Sequence, residues 1–109
     1  MSSGAALAIA ILLEVIGTTC LKMSEQFTRP LPTAVMAVCY VASFWLLAVA
    51  TRTIPLGLAY AIWAGAGIAL ISLAGVVLFG QRLDWPALVG IAMIAGGVMV
   101  INLLSDAAH

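Results

Sequence analysis

The residue whose type and surroundings point most directly to chemistry is Glu14. It stands inside an apolar run with no lysine or arginine between Gly4 and Leu21. An ionised carboxylate at the centre of a bilayer costs from about 2.5 kcal/mol upward, so the group is predisposed to take up a proton. An organic cation would neutralise it equally well. If both ligands need one carboxylate and cannot hold it together, competition couples them: proton binding from one side releases the cation, and re-exposure to the other side reverses the exchange. Such a cycle needs no nucleotide, and the chain has no G-x-x-x-x-G-K-[ST] phosphate loop. The structural alternatives for Glu14 are a neutral acid hydrogen-bonded between helices and a determinant of assembly.

Residues that would surround this carboxylate follow from helical spacing. Leu7, Ala10, Ile11, Gly17 and Thr18 lie seven, four and three residues before and three and four after Glu14, on its face. Most are small, which suits close helix approach as well as ligand contact. Tyr40 falls at a matching depth in a second apolar segment and is expected to reach the carboxylate, with Ser43, Phe44 and Leu47 continuing its face. Trp45 points away, toward lipid. In a third segment Tyr60, Trp63 and Gly67 form another stripe. Aromatic faces attract desolvated cations by roughly 0.5 to 2 kcal/mol, so a carboxylate with aromatic walls suits a hydrophobic cation. Gly65-Ala66-Gly67 reads either as a hinge or as close packing, since Gly57, Ala61 and Gly65 also form a small-residue ladder.

The elements that must position these residues are set by length and apolarity. Of 109 residues 65% are hydrophobic and 7% charged, against about half and a quarter in a soluble domain. A bilayer core of about 30 Å needs roughly 20 apolar residues in a helix that closes its own backbone hydrogen bonds. Four segments qualify: 4–21, 33–50, 56–79 and 85–104. The fold class is therefore an all-α integral membrane protein of four transmembrane helices in one domain over 1–109. Pro30, Pro32, Pro55 and Pro86 sit just before or in first turns, where a missing amide proton matters little. Gly80 is placed to end the third helix and Asp84 to cap the fourth. The first run lacks a basic leading region and carries Glu14 inside it, so it reads as a spanning helix, not a secretory signal.

Little else in the chain suggests chemistry. Cys20 and Cys39 have no metal-ligand spacing and read as packing groups, and His109 reads as a solvated tail residue. No cofactor, metal or nucleic-acid partner is expected, and the formal charge is +0. Gly90 and Gly97, with Gly96 beside the latter, form a smooth strip on the fourth helix that suits association, within the chain or with a second copy. Midplane sites of transporters commonly lie between repeats of inverted topology. This chain contains no such pair, and an antiparallel homodimer would supply the inversion. Lys22, Arg29 and Arg82 lie in loops on one side and Arg52 on the other, a weak orientation bias compatible with insertion both ways. A parallel dimer is the simpler alternative.

Together these residues resemble a family, the small multidrug resistance exporters, in their quaternary-ammonium subtype. The likeness rests on Glu14-Val15-Ile16-Gly17-Thr18-Thr19, Lys22, Phe27-Thr28-Arg29, Tyr40 with Ser43-Phe44-Trp45-Leu46-Leu47, Ala59-Tyr60-Ala61-Ile62-Trp63, Gly65-Ala66-Gly67-Ile68, Gly80-Gln81-Arg82-Leu83-Asp84 and Ile101-Asn102-Leu103-Leu104. It implies a proton-coupled exporter of lipophilic cations, not an enzyme, working as an antiparallel, dual-topology dimer in a bacterial inner membrane. It also implies Glu14 as the shared proton and drug site, Tyr40, Tyr60 and Trp63 in the substrate site, Gly65 and Gly67 as hinge, and Gly90 and Gly97 as dimer contacts. Gly4 and Ala64 depart from the tyrosine and serine frequent in the subtype, so substrate preference is expected to differ. Ile16 and Tyr40 argue against the sister guanidinium exporters, which remain the nearest alternative; a non-transporting membrane assembly protein is the alternative of another class.

Overall fold

A computed structural model describes residues 2–106, and His109 lies outside them. Four helices follow one another: α1 (Ser3–Met23), α2 (Pro30–Ala50), α3 (Leu56–Phe79) and α4 (Trp85–Leu104). Each is long and apolar enough to cross a membrane. α3 and α4 begin and end where apolarity places them. α1 runs on to Met23, because Lys22 in its last turn is helical although it is not apolar. α2 starts three residues earlier than the expected Thr33 because Pro30 and Pro32 both fit its first turn, whose N–H groups have no partner in the helix.

Local chemistry fixes the ends. The Ser2 side chain accepts from the Ala5 amide at 3.1 Å, and Asp84 accepts from the Ala87 amide at 3.0 Å. Gly80 ends α3 in the left-handed conformation at φ 62°, which a side chain would disfavour. The α1–α2 loop is less conventional. Glu25, Gln26 and Phe27 all have positive φ, at 49°, 63° and 66°, without a glycine among them. Fully buried Ser24 holds this turn: its hydroxyl donates to the Leu21 carbonyl at 2.7 Å and accepts from the Phe27 amide at 3.2 Å. Its carbonyl accepts from the amides of Thr28 and Arg29 at 3.0 and 3.1 Å.

Packing is centred on α1 against α2, with α3 lying against α1. Ala6, Leu7, Ala10 and Ile11 of α1 meet Leu46 and Ala50 of α2, with Ile54 and Ala59 completing the core. Small side chains let the α1 and α2 backbones approach until Ser43 Oγ donates to the Ala10 carbonyl at 2.7 Å. At the N-terminus of α1 the hydroxyls of Ser3 and Thr53 pair. α4 contributes no buried residue; it rests chiefly on α3. There Gly65 leaves the space that Val98 fills, since a Cβ at residue 65 would overlap the valine.

Candidate functional site

Glu14 lies partly buried on α1, turned toward both neighbouring helices. Its Oε1 accepts from Thr18 Oγ1, one turn on, at 3.4 Å. That is longer than an ordinary O–H···O bond and leaves the carboxylate loosely held. The Thr18 hydroxyl also lies 2.7 Å from the Tyr40 hydroxyl of α2. Thr18 has one proton, so when it donates to Glu14 the bond from α2 must be donated by Tyr40. Tyr40 is thus tied to the carboxylate through Thr18, where spacing alone suggested a direct reach.

The second carboxylate oxygen is free of such ties. Glu14 Oε2 is buried and makes no hydrogen bond among the described residues. It lies over the α3 backbone at Gly67, where a Cβ would stand 2.6 Å from it. Gly67 therefore serves the site by having no side chain. Gly17 has a related role on α1, where a Cβ would meet the Tyr40 ring at 2.8 Å, so the tyrosine packs closely against the helix that carries Glu14. α3 runs unbroken through Gly65-Ala66-Gly67, and both glycines are buried at close approaches.

An aromatic row flanks the carboxylate. Ring centroids step from Tyr40 to Phe44 at 6.5 Å, from Phe44 to Trp63 at 5.9 Å, and from Trp63 to Tyr60 at 5.5 Å. These are tilted or edge-on contacts of the favourable kind. Trp63 Nε1 is, like Glu14 Oε2, buried without a hydrogen-bond partner among the described residues. Phe44 and Tyr60 are each 57% exposed, so the row presents an open aromatic face on this single chain. Trp45 is 67% exposed and directed away from the core, as its spacing requires.

The other expected pocket residues each have a definite place in the helix packing. Ser43 is buried with its hydroxyl committed to Ala10, which makes it a tie between α1 and α2. Leu7, Ala10 and Ile11 belong to the core, and Leu47 packs against its edge. Leu7 and Ile11 also border a cavity of about 510 Å³ with Gly4, Ile62 and Asn102. This space extends along the Glu14 face of α1 toward its N-terminus, and glycine at position 4 adds nothing to fill it. Cys20 and Cys39 are free thiols. A methyl group added at Gly90, Gly96 or Gly97 would meet nothing within 4 Å, so their strip faces outward and the α3 contact runs through Ile94 and Val98 instead.

Comparison with known proteins gives this arrangement a family. The Small Multidrug Resistance protein model matches residues 4–94. The chain belongs to the small multidrug resistance family. It is 59% identical over 96 residues to the multidrug transporter EmrE of Escherichia coli K12, covering 88% of this chain and 87% of that protein. Identity is 49% over 102 residues to the multidrug transporter PA4990 of Pseudomonas aeruginosa, covering 94% and 93%. With the quaternary ammonium compound-resistance protein QacF of Klebsiella aerogenes it is 45% over 104 residues, covering 94% of each. Four spanning helices and this kinship make it a multi-pass protein of the bacterial inner membrane.

Proposed function

We propose that this small multidrug resistance protein is a proton-coupled antiporter exporting lipophilic and quaternary ammonium cations by alternating access, with proton and cation competing for Glu14. The observation that carries the reading is the division of labour at the carboxylate. Oε1 is held through Thr18 and Tyr40, while Oε2 is buried and uncommitted beside Gly67. A buried acceptor without a partner is costly, and either a proton or a positive ligand relieves it. The row of Tyr40, Phe44, Trp63 and Tyr60 supplies faces that attract a desolvated cation. The names of its relatives, multidrug transporters and a quaternary ammonium resistance protein, favour the same substrate class.

The working unit in this reading is an antiparallel homodimer. One chain leaves Phe44 and Tyr60 exposed and the glycine strip of α4 open, and a second copy in inverted orientation would enclose the former and pack on the latter. Gly65 and Gly67 would then serve as the hinge of α3 between inward-open and outward-open states, and the two Glu14 carboxylates would titrate as a coupled pair.

The test is Glu14→Gln in proteoliposomes. The variant should insert and dimerise, release no proton on addition of tetraphenylphosphonium, and lose proton-driven cation flux. Retained coupled flux would sink the reading. Flux of guanidinium with none of tetraphenylphosphonium in the parent protein would transfer the assignment to a guanidinium-type metabolite exporter.

A further inference from the structure

A second, smaller cavity opens between α1 and α3, toward the ends that carry Lys22 and Phe79. It holds about 170 Å³ and is lined by Thr18, Thr19, Lys22 and Gln81 together with Ile71, Gly75 and Phe79. The four polar residues interrupt a stretch of helix otherwise built for lipid. Thr18 belongs to this crevice and to the Glu14 site at once, since its hydroxyl is the one that donates to Oε1. Thr19 Oγ1 spends its proton on the Val15 carbonyl at 2.9 Å, so toward other partners it is an acceptor.

The outer end of the crevice is built by a backbone device. Gly80 turns the chain at φ 62°, and the Gln81 amide then donates back to the Gly75 carbonyl at 3.1 Å. This folds the Gln81 side chain onto Gly75, into the space a Cβ at residue 75 would take. A polar amide and the ammonium of Lys22, which is strongly hydrated, thus stand at a mouth near the aqueous interface.

We propose that this crevice is the proton's route between the interface and Glu14, separate from the aromatic face at which the cation arrives. The inference rests on the reading of Glu14 as the exchange site. Its size decides which ligand it admits: about 170 Å³ accommodates a short file of waters. Pockets that take drug-sized ligands hold about 300 to 1,000 Å³. On deprotonation the Glu14 carboxyl passes its proton to Thr18 Oγ1 as the Thr18 hydroxyl passes its own to a crevice water. That water hands the proton to bulk, Thr18 ends neutral as it began, and Glu14 is left a carboxylate. Protonation runs the same steps backward.

Thr19→Leu fills the crevice from α1, and Ile71→Phe fills it from α3 should the first variant fail to bind cation at all. Stopped-flow with tetraphenylphosphonium, read by a pH dye and by tryptophan fluorescence, compares them with the parent. At acid pH, where a proton must leave first, proton release and cation arrival should slow together by on the order of tenfold. At alkaline pH, where Glu14 is already ionised, cation arrival should match the parent within about twofold, a margin well below that tenfold. Gly57→Ala, a residue of α3 whose added methyl would meet nothing within 4 Å, should slow neither. Slowing at both pH values, slowing at alkaline pH alone, or slowing at neither overturns the route. A parent protein that binds tetraphenylphosphonium yet releases no proton refutes the exchange reading itself.

Discussion

Thr18 and Tyr40, on different helices, hold their hydroxyls 2.7 Å apart, and through that pair the second helix acts on a carboxylate of the first. Tyr40→Phe keeps the ring and its contact with Phe44 but removes the donor. An ordinary hydrogen bond contributes about 1 kcal/mol, or roughly fivefold in an equilibrium constant. Because in the proposed exchange the lost bond favours the ionised, cation-bound form of Glu14, tetraphenylphosphonium affinity near neutral pH should fall about that much. The deficit should narrow as pH rises and proton competition fades. Binding isotherms at two pH values check both the size and the trend; an equal loss at both would assign Tyr40 to cation contact alone.

Gly67 gives a sharper test, since a methyl group there would stand 2.6 Å from Glu14 Oε2. Gly67→Ala must push the carboxylate away, and cation affinity should drop by about tenfold or more, a change of at least about 1.4 kcal/mol. Gly57→Ala on the same helix meets nothing within 4 Å and should bind as the parent does. Equal behaviour of the two variants would separate Gly67 from the site.

How much of the molecule is legible in its sequence follows from the kind of information each feature needs. The spans are local, set by apolar length, and α3 and α4 stand where that length puts them. Gly80 and Asp84 are also local signals and act as helix end and cap. The pairing of Glu14 with Thr18 is legible because one turn of helix joins them. The Tyr40 bond to Thr18 is not, because it depends on how α1 and α2 cross. The same holds for Ser43, whose partner, the Ala10 carbonyl, lies outside any pattern along one helix. The left-handed run Glu25 to Phe27 lacks the glycine that would announce it, since buried Ser24 supports it from within the turn.

That difference makes Ser43 testable. With its hydroxyl bound to a backbone carbonyl between α1 and α2, Ser43→Ala should lower stability by about 1 kcal/mol, the usual worth of such a bond between membrane helices. Thermal unfolding in detergent reads the loss. Tetraphenylphosphonium affinity should stay within about twofold, less than the roughly fivefold that a lost site hydrogen bond would remove. A large affinity loss at unchanged stability would instead place Ser43 in the substrate pocket.

The open strip of α4 bears on assembly. Gly90 and Gly97 lie seven residues apart, leave open space where a side chain would stand, and share a helix that contributes no buried residue. Small residues at such spacing let helices approach closely, and a branched side chain there separates them. Gly97→Val should therefore shift the purified protein toward monomer, with each chain's helix content unchanged. Because the aromatic face would then lack its second half, cation affinity should follow the dimer fraction as protein concentration is raised. Size measurements paired with binding across that range decide the matter: a monomer that binds as tightly as the parent would show that one chain suffices.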